Sequence, residues 1–246
     1  MQLDSLNHFK SVAAHQFFVA PADRDYLIAR WLLLGGFPEL FWHVAQAVEK
    51  YLKAGLVLNG EKVDGASHDL RALHERHVAV FGDLAFRRFE RPDGLDPEMW
   101  RDEPVEAFVG RVSFMGSPDG RYGLASWWRQ PDDLFKIDQM CWALRRVTIG
   151  LDWMVGEDFE RLDAALEPHR GRRYGEVLLE EPELAPRGEF RDLEQALPEV
   201  GSDRGDLLHA WNFAFRRCPA DIFKPAPGLV APPIGPAGNS YMFIFW

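Results

Sequence analysis

A few side chains in this sequence stand close enough together to suggest chemistry. Arg121, Tyr122, Trp127, Trp128 and Arg129 interleave cations with aromatic rings. Such a cluster can stack bases and hold phosphates; it can equally be a helix junction whose tryptophans pack in a core. His169, Arg170, Arg172, Arg173 and Tyr174 form the one dense basic patch, and a solvated loop is the competing reading. His74 and His77 stand three apart, a spacing that could serve a metal, but no third and fourth ligands stand at sensible spacing. No metal or other cofactor is therefore expected. His68 and Asp69 begin a helical pattern, where an acidic residue complements the helix dipole and needs no catalytic role. Gly201-Ser202 lacks the acidic pair a nucleotidyl-transfer site needs. No Walker loop, GxSxG elbow or HExxH motif occurs.

Composition sets the frame for these groups. The chain has 246 residues, enough for one large domain or a domain with an appendage. Hydrophobic residues make up 47% of it, so a packed core is expected. The formal net charge is −10. A field of that sign slows approach to nucleic acid, so nucleic-acid binding would need a local basic groove. Cys141 and Cys218 are the only cysteines and form neither a CxxC pair nor a disulfide framework. Cys141 falls in an apolar helical pattern, where a buried thiol is expected. The first ten residues contain Asp4, Asn7 and His8 and no apolar signal-peptide core. No run reaches the ~18 apolar residues that span a bilayer. Both readings lead to the expectation of a cytoplasmic protein without a membrane partner.

The elements that must position these groups read as helices. Pro38 to Asn59 carries Phe41, Val44, Ala45, Val48, Leu52, Gly55 and Leu56 at three- and four-residue spacing. Pro38 suits the helix start and Gly60 its end. Glu49 and Lys53 are four apart in the favourable order for an ion pair. An earlier helix is expected over Asp23–Leu34, broken by Gly35 and Gly36. A third is expected from Ser67 as N-cap to Gly82, with Leu70, Leu73, His77, Val78 and Phe81 on its inner stripe. Residues 90–104 read as a loop with a short helical piece, and Val105–Phe114 as helix. Asp132 to Val155 shows the seam spacing of packed helices through Leu134, Ile137, Cys141, Leu144, Thr148 and Leu151. That seam is either internal to a bundle or the contact of a homodimer. Beyond it, Glu157–Leu166, Glu189–Leu197 and Asp203–Arg217 read as shorter amphipathic helices. Six prolines, at 219, 225, 227, 232, 233 and 236, then block helix. The apolar end Tyr241–Trp246 is expected to be docked rather than exposed.

Part of this pattern resembles the HEPN family. Phe41 to Ala54, with Gln46, Ala47, Glu49, Lys50, Lys53 and Ala54, is similar to that family's signature helix. Gly60 and the step His68-Asp69-Leu70 with Leu73 follow as in the family. Asp25-Tyr26, Ala29 and Arg30 resemble its first helix. Arg121-Tyr122-Gly123 with Lys136, Asp138, Leu144 and Arg146 resembles its last. The likeness covers roughly residues 18–155.

The resemblance implies an all-α, up-down bundle, often dimeric. It would occupy residues 18–155, with a helical extension over 156–218 and a Pro-rich tail over 219–246. Family members divide into metal-independent endoribonucleases of toxin–antitoxin or defence systems and non-catalytic binding or scaffold modules, some partnered with nucleotidyltransferases. The ribonucleases use an Arg and a His on one helix, the His moving a proton and the Arg stabilising phosphate charge. Arg71 and His77 match that spacing here, but a six-residue step turns about 600° around a helix, so the two do not share a face. The polar residue usual after the Arg is Ala72, and the pair falls on the third helix, not the last. The resemblance thus points to a non-catalytic binding or dimerisation module for a nucleotide or nucleic acid, with an endoribonuclease as the alternative. The expected partners are a second copy, a nucleotide or RNA, and a nucleotidyltransferase or antitoxin. The candidate binding residues are Arg121, Tyr122, Trp128 and Arg129.

Overall fold

The strongest sequence signal becomes the central helix. The computed structural model describes residues 6–35, 37, 39–63, 68–91, 96–121, 130–157, 164–181 and 184. They are mostly helical and contain no strand, only an isolated bridge between Met154 and Arg173. In chain order the helices are α1 (Leu6–Ala14), α2 (Ala20–Gly35), α3 (Leu40–Leu58), α4 (Leu70–Phe81), α5 (Val105–Met115), α6 (Pro118–Arg121), α7 (Asp133–Arg146) and α8 (Tyr174–Glu180). Thirteen of the nineteen residues of α3 are buried, and it packs against α1, α2, α4, α5 and α7. Each large apolar side chain so buried contributes about 1.5–3 kcal/mol. Past its end Gly60 takes φ +81°, and the Glu61 amide turns back to the Leu56 carbonyl at 2.9 Å.

The first helix is longer than the periodicity implied. Residues 6–35 are continuously helical, with a π-helical turn at His15–Val19 joining α1 to α2. Pro21 explains both the turn and the missed length. Proline cannot donate to the carbonyl four residues back, and its ring crowds that carbonyl, so it reads as a helix breaker. Here the preceding turn widens instead. One side of this helix sends Ala14, Val19, Ala22, Tyr26, Ala29 and Leu33 into the core.

The helix expected over 132–155 is shorter. It runs from Asp133 to Arg146. Val147, Thr148 and Ile149 are β-branched and precede Gly150, a poor helical sequence. The Thr148 hydroxyl donates to the Arg145 carbonyl at 2.7 Å. Asn59 holds the departing chain, donating to the Ile149 carbonyl and accepting from the Leu151 amide, both at 2.8 Å. Ile137, Cys141 and Leu144 are each 1% exposed within this one chain, so the seam of α7 is internal and cannot be the contact between copies.

Asp69, not Ser67, caps α4; its side chain accepts from the amides of Arg71 and Ala72. Of the expected extension, a 3-10 stretch at Ala164–His169 and α8 are described. Part of the basic patch therefore leads into a helix. Ile149, Val155, Leu166, Tyr174, Val177 and Leu178 make a small second core there. The stretches 189–197 and 203–217, the prolines and the apolar end lie outside the described residues.

Candidate functional site

The chemistry-bearing residues of the bundle meet in three groups. In the first, Asp138 of α7 accepts from two residues of α2, the Tyr26 hydroxyl at 2.5 Å and Arg30 Nη2 at 3.1 Å, with Arg30 Nε in ion-pair contact at 3.0 Å. In the second, Asp23 of α2 accepts from the Tyr51 hydroxyl of α3 at 2.5 Å and from Arg145 of α7 at 2.8 and 3.0 Å. Each aspartate thus faces one tyrosine and one arginine, and the two triads tie α2, α3 and α7 together. Cys141 lies between them. Burial pushes its thiol well above the usual range, and Asp138 and Asp23 add to the effect.

Burial raises the Asp138 carboxyl to about 6, although Arg30 and Tyr26 act to lower it. The Tyr26 and Tyr51 hydroxyls are held well above their ordinary range by burial and by the aspartates they face. All of these side chains serve each other.

The third group is built on α5, α7 and the turn before α5. Arg111 grips Glu103 with two bonds, at 3.0 and 2.9 Å, and reaches Asp133 at 2.7 Å. Lys136, fully buried, contacts Glu103 at 3.0 Å and Asp132 at 2.9 Å, with its ammonium 5.3 Å from the Trp100 ring centre. Burial works against the charge of Glu103, but bonding to Arg111 and Lys136 outweighs it and holds the carboxyl below its usual value. Asp133 is shifted upward, chiefly by burial.

Of the family-like positions of α3, Ala47, Glu49 and Ala54 are buried and Gln46, Lys50 and Lys53 are half-buried. Glu49 receives Lys53 at 2.6 Å and His68, from the segment before α4, at 3.1 Å. Lys50 and His43 both bind Asp25 of α2. Burial would raise the Asp25 carboxyl, yet its bonds to His43 and Lys50 leave it lowered.

Arg71 and His77 face different surroundings. Arg71 is exposed, and its guanidinium lies over Gly110 of α5, where a Cβ would come within 2.6 Å of Nη2. His77 is 1% exposed, stacked on Phe81 with ring centres 4.2 Å apart. It packs against Gly55 of α3, whose missing side chain makes the room. Burial, with a smaller push from His74, lowers the His77 imidazole to about 3. His77 is therefore neutral at physiological pH. His74 is also buried and lowered. Among the described residues no group of three His, Cys, Asp or Glu is placed to hold a metal ion, and no helix is long and apolar enough to cross a membrane.

Of the basic–aromatic cluster, Arg121 ends α6, while Tyr122, Trp127, Trp128 and Arg129 lie outside the described residues. Sequence reasoning missed the buried charges as a set. The available signal was their spacing: Asp138 and Arg145 are seven apart on α7 and Tyr26 and Arg30 four apart on α2, within stripes otherwise apolar. No family model, curated protein or solved structure among those compared matches this chain.

Proposed function

We propose that this protein is a non-catalytic helical binding or dimerisation module of the kind found among HEPN-like bundles. The observation that carries the reading is the state of His77, buried, neutral and apart from the exposed Arg71. A general acid–base group must reach its substrate and hold a proton near the working pH; this imidazole does neither. The large charged side chains of the interior are engaged between elements, Arg30 with Asp138, Arg145 with Asp23, Arg111 with Asp133, and Lys136 with Glu103. Such pairs favour one helix arrangement over others. Nucleotide or nucleic acid is the ligand class that the residue types of the basic–aromatic segment, Arg121, Tyr122, Trp128 and Arg129, suit. The test is RNA incubated with the full chain, with and without EDTA. No cleavage is expected. Metal-independent cleavage lost on His77→Ala would overturn the reading in favour of an endoribonuclease.

A further inference from the structure

The long first helix has two faces, and among the described residues only the inner one is packed against the core. On the outer side Leu6 is 69% exposed, Phe9 68%, Val12 50%, Phe17 67%, Ile28 42% and Trp31 43%. These are six of the nine large hydrophobic side chains that the described residues expose. They lie on one side of a continuous helix, opposite the residues that enter the core. Leu6 and Trp31 are about 38 Å apart at 1.5 Å per residue. Scattered exposed hydrophobics are ordinary, but six on one side of one helix, four toward its start and two toward its end with Arg24 between, mark an interaction surface.

We propose that a second copy of this chain covers the stripe, in an antiparallel pairing of the two first helices about a two-fold axis. This inference rests on the reading of the protein as a binding or dimerisation module and supplies its surface. Six exposed apolar side chains on one side of one helix, and the area they offer, carry it. Leu6 and Phe9 are three apart at one end, and Ile28 and Trp31 are three apart at the other. One antiparallel register brings these two pairs together. An antiparallel two-fold pairing of this register sets Leu6 against the Trp31 position of the other copy and Phe9 against the Ile28 position. At the centre Phe17 meets Ala20, a small residue opposite a large one. Lys10 falls opposite Leu27, Arg24 opposite Ala13, and Val12 opposite Asp25, which is already paired with Lys50 and His43, so like charges do not meet. An isologous interface requires this self-complementarity.

The area is also right. Scaled by their exposure, the six side chains offer on the order of 700 Å² per copy if a whole aromatic side chain offers ~150–250 Å². A stable, specific interface takes about 800 Å² per partner.

The experiment is sedimentation equilibrium of the full chain at micromolar concentration, with circular dichroism to check folding. Wild type is expected at twice the chain mass. Phe9→Glu with Ile28→Glu, both on exposed positions, should weaken association by at least ~100-fold. Phe114→Glu, at a site 60% exposed elsewhere, should leave it unchanged. In a Cys218→Ser background, Leu6→Cys with Trp31→Cys should cross-link two copies on oxidation. A monomeric wild type overturns the proposal. So does a dimer indifferent to the Phe9→Glu and Ile28→Glu pair, which would leave the module reading standing with another surface. A chain that dimerises only after deletion of residues 241–246 also overturns it, because its own end would then occupy the stripe. Co-sedimentation of a monomer with anionic vesicles overturns it in favour of a lipid surface. RNA cleavage by an intact dimer would refute the module reading and leave this interface in place.

Discussion

Arg30→Met should be among the most destabilising substitutions in the chain, and its effect should depend on pH in a defined direction. Arg30 is 1% exposed, and its guanidinium is held on Asp138 at 3.0 and 3.1 Å. Methionine fills much of the same volume, so the main loss is the charge partner. Removing one member of a buried pair leaves the other uncompensated and costs about 3–5 kcal/mol. For a domain of this size each 1 kcal/mol lowers Tm by roughly 2–4 °C, so a drop of roughly 6–20 °C is expected. The Asp138 carboxyl sits at about 6 in the folded protein, above its value of about 3.9 in an unfolded chain. The folded state therefore holds the proton more tightly. The stabilisation from this group is full below about pH 4 and is lost as pH rises through 6. In Arg30→Met the attraction that lowers the carboxyl is gone, so it moves higher still. The deficit relative to wild type should then grow from pH 5 to pH 8. Comparing variant with wild type at each pH removes the opposite contributions of Asp25 and Glu103, whose lowered carboxyls add stability above their unfolded values that is lost in acid. Adding Asp138→Leu should recover much of the loss, because no buried charge is then left alone. Urea denaturation of the four proteins of this cycle at pH 5 and pH 8 provides the measurement. A single-variant loss under about 1 kcal/mol, additivity in the double variant, or a larger deficit at pH 5 would refute the reasoning.

Asp69→Ala removes the side chain that caps α4 through the Arg71 and Ala72 amides; it should cost about 1 kcal/mol in urea denaturation, with no cost counting against the cap. Cys141 is 1% exposed with its thiol raised by burial. In a Cys218→Ser background a thiol reagent should modify it only at the rate of unfolding, and rapid labelling of the folded protein would contradict its placement between the two triads.

Several features were legible in the sequence because their causes are local. The apolar repeat of α3, Gly60 beyond its end and Gly82 closing α4 each depend on residues within a turn or two, and the helices stand where those signals put them, Leu40–Leu58 and Leu70–Phe81. The start of α5 after Pro104 and the Glu49–Lys53 pair were local in the same way. Pro21 gave a local signal that the tertiary structure overrode. A breaker by its own chemistry, it is carried within a 30-residue helix through a widened turn, with Val19, Ala22, Tyr26, Ala29 and Leu33 packed on the main core and Ala14 packed with Leu58 and Trp153.

What only the tertiary structure decided is which polar residues go inside. Nothing near Asp23 reveals Arg145, 122 residues away, and nothing near Tyr26 reveals Asp138, 112 residues away. A lysine such as Lys136 reads as surface until Glu103 and Asp132 are seen around it. The same holds for His77, whose place on an inner stripe was readable but whose neutrality depends on Gly55 and Phe81 closing over it. The seam of α7 read first as an internal contact, with a contact between copies as the alternative, until the other helices were seen covering it. Hydrophobic period and capping act along the chain, over a few residues, and a single sequence records them directly. Burial of a charge depends on a partner brought by another helix, and that partner is chosen by the packing of the whole bundle.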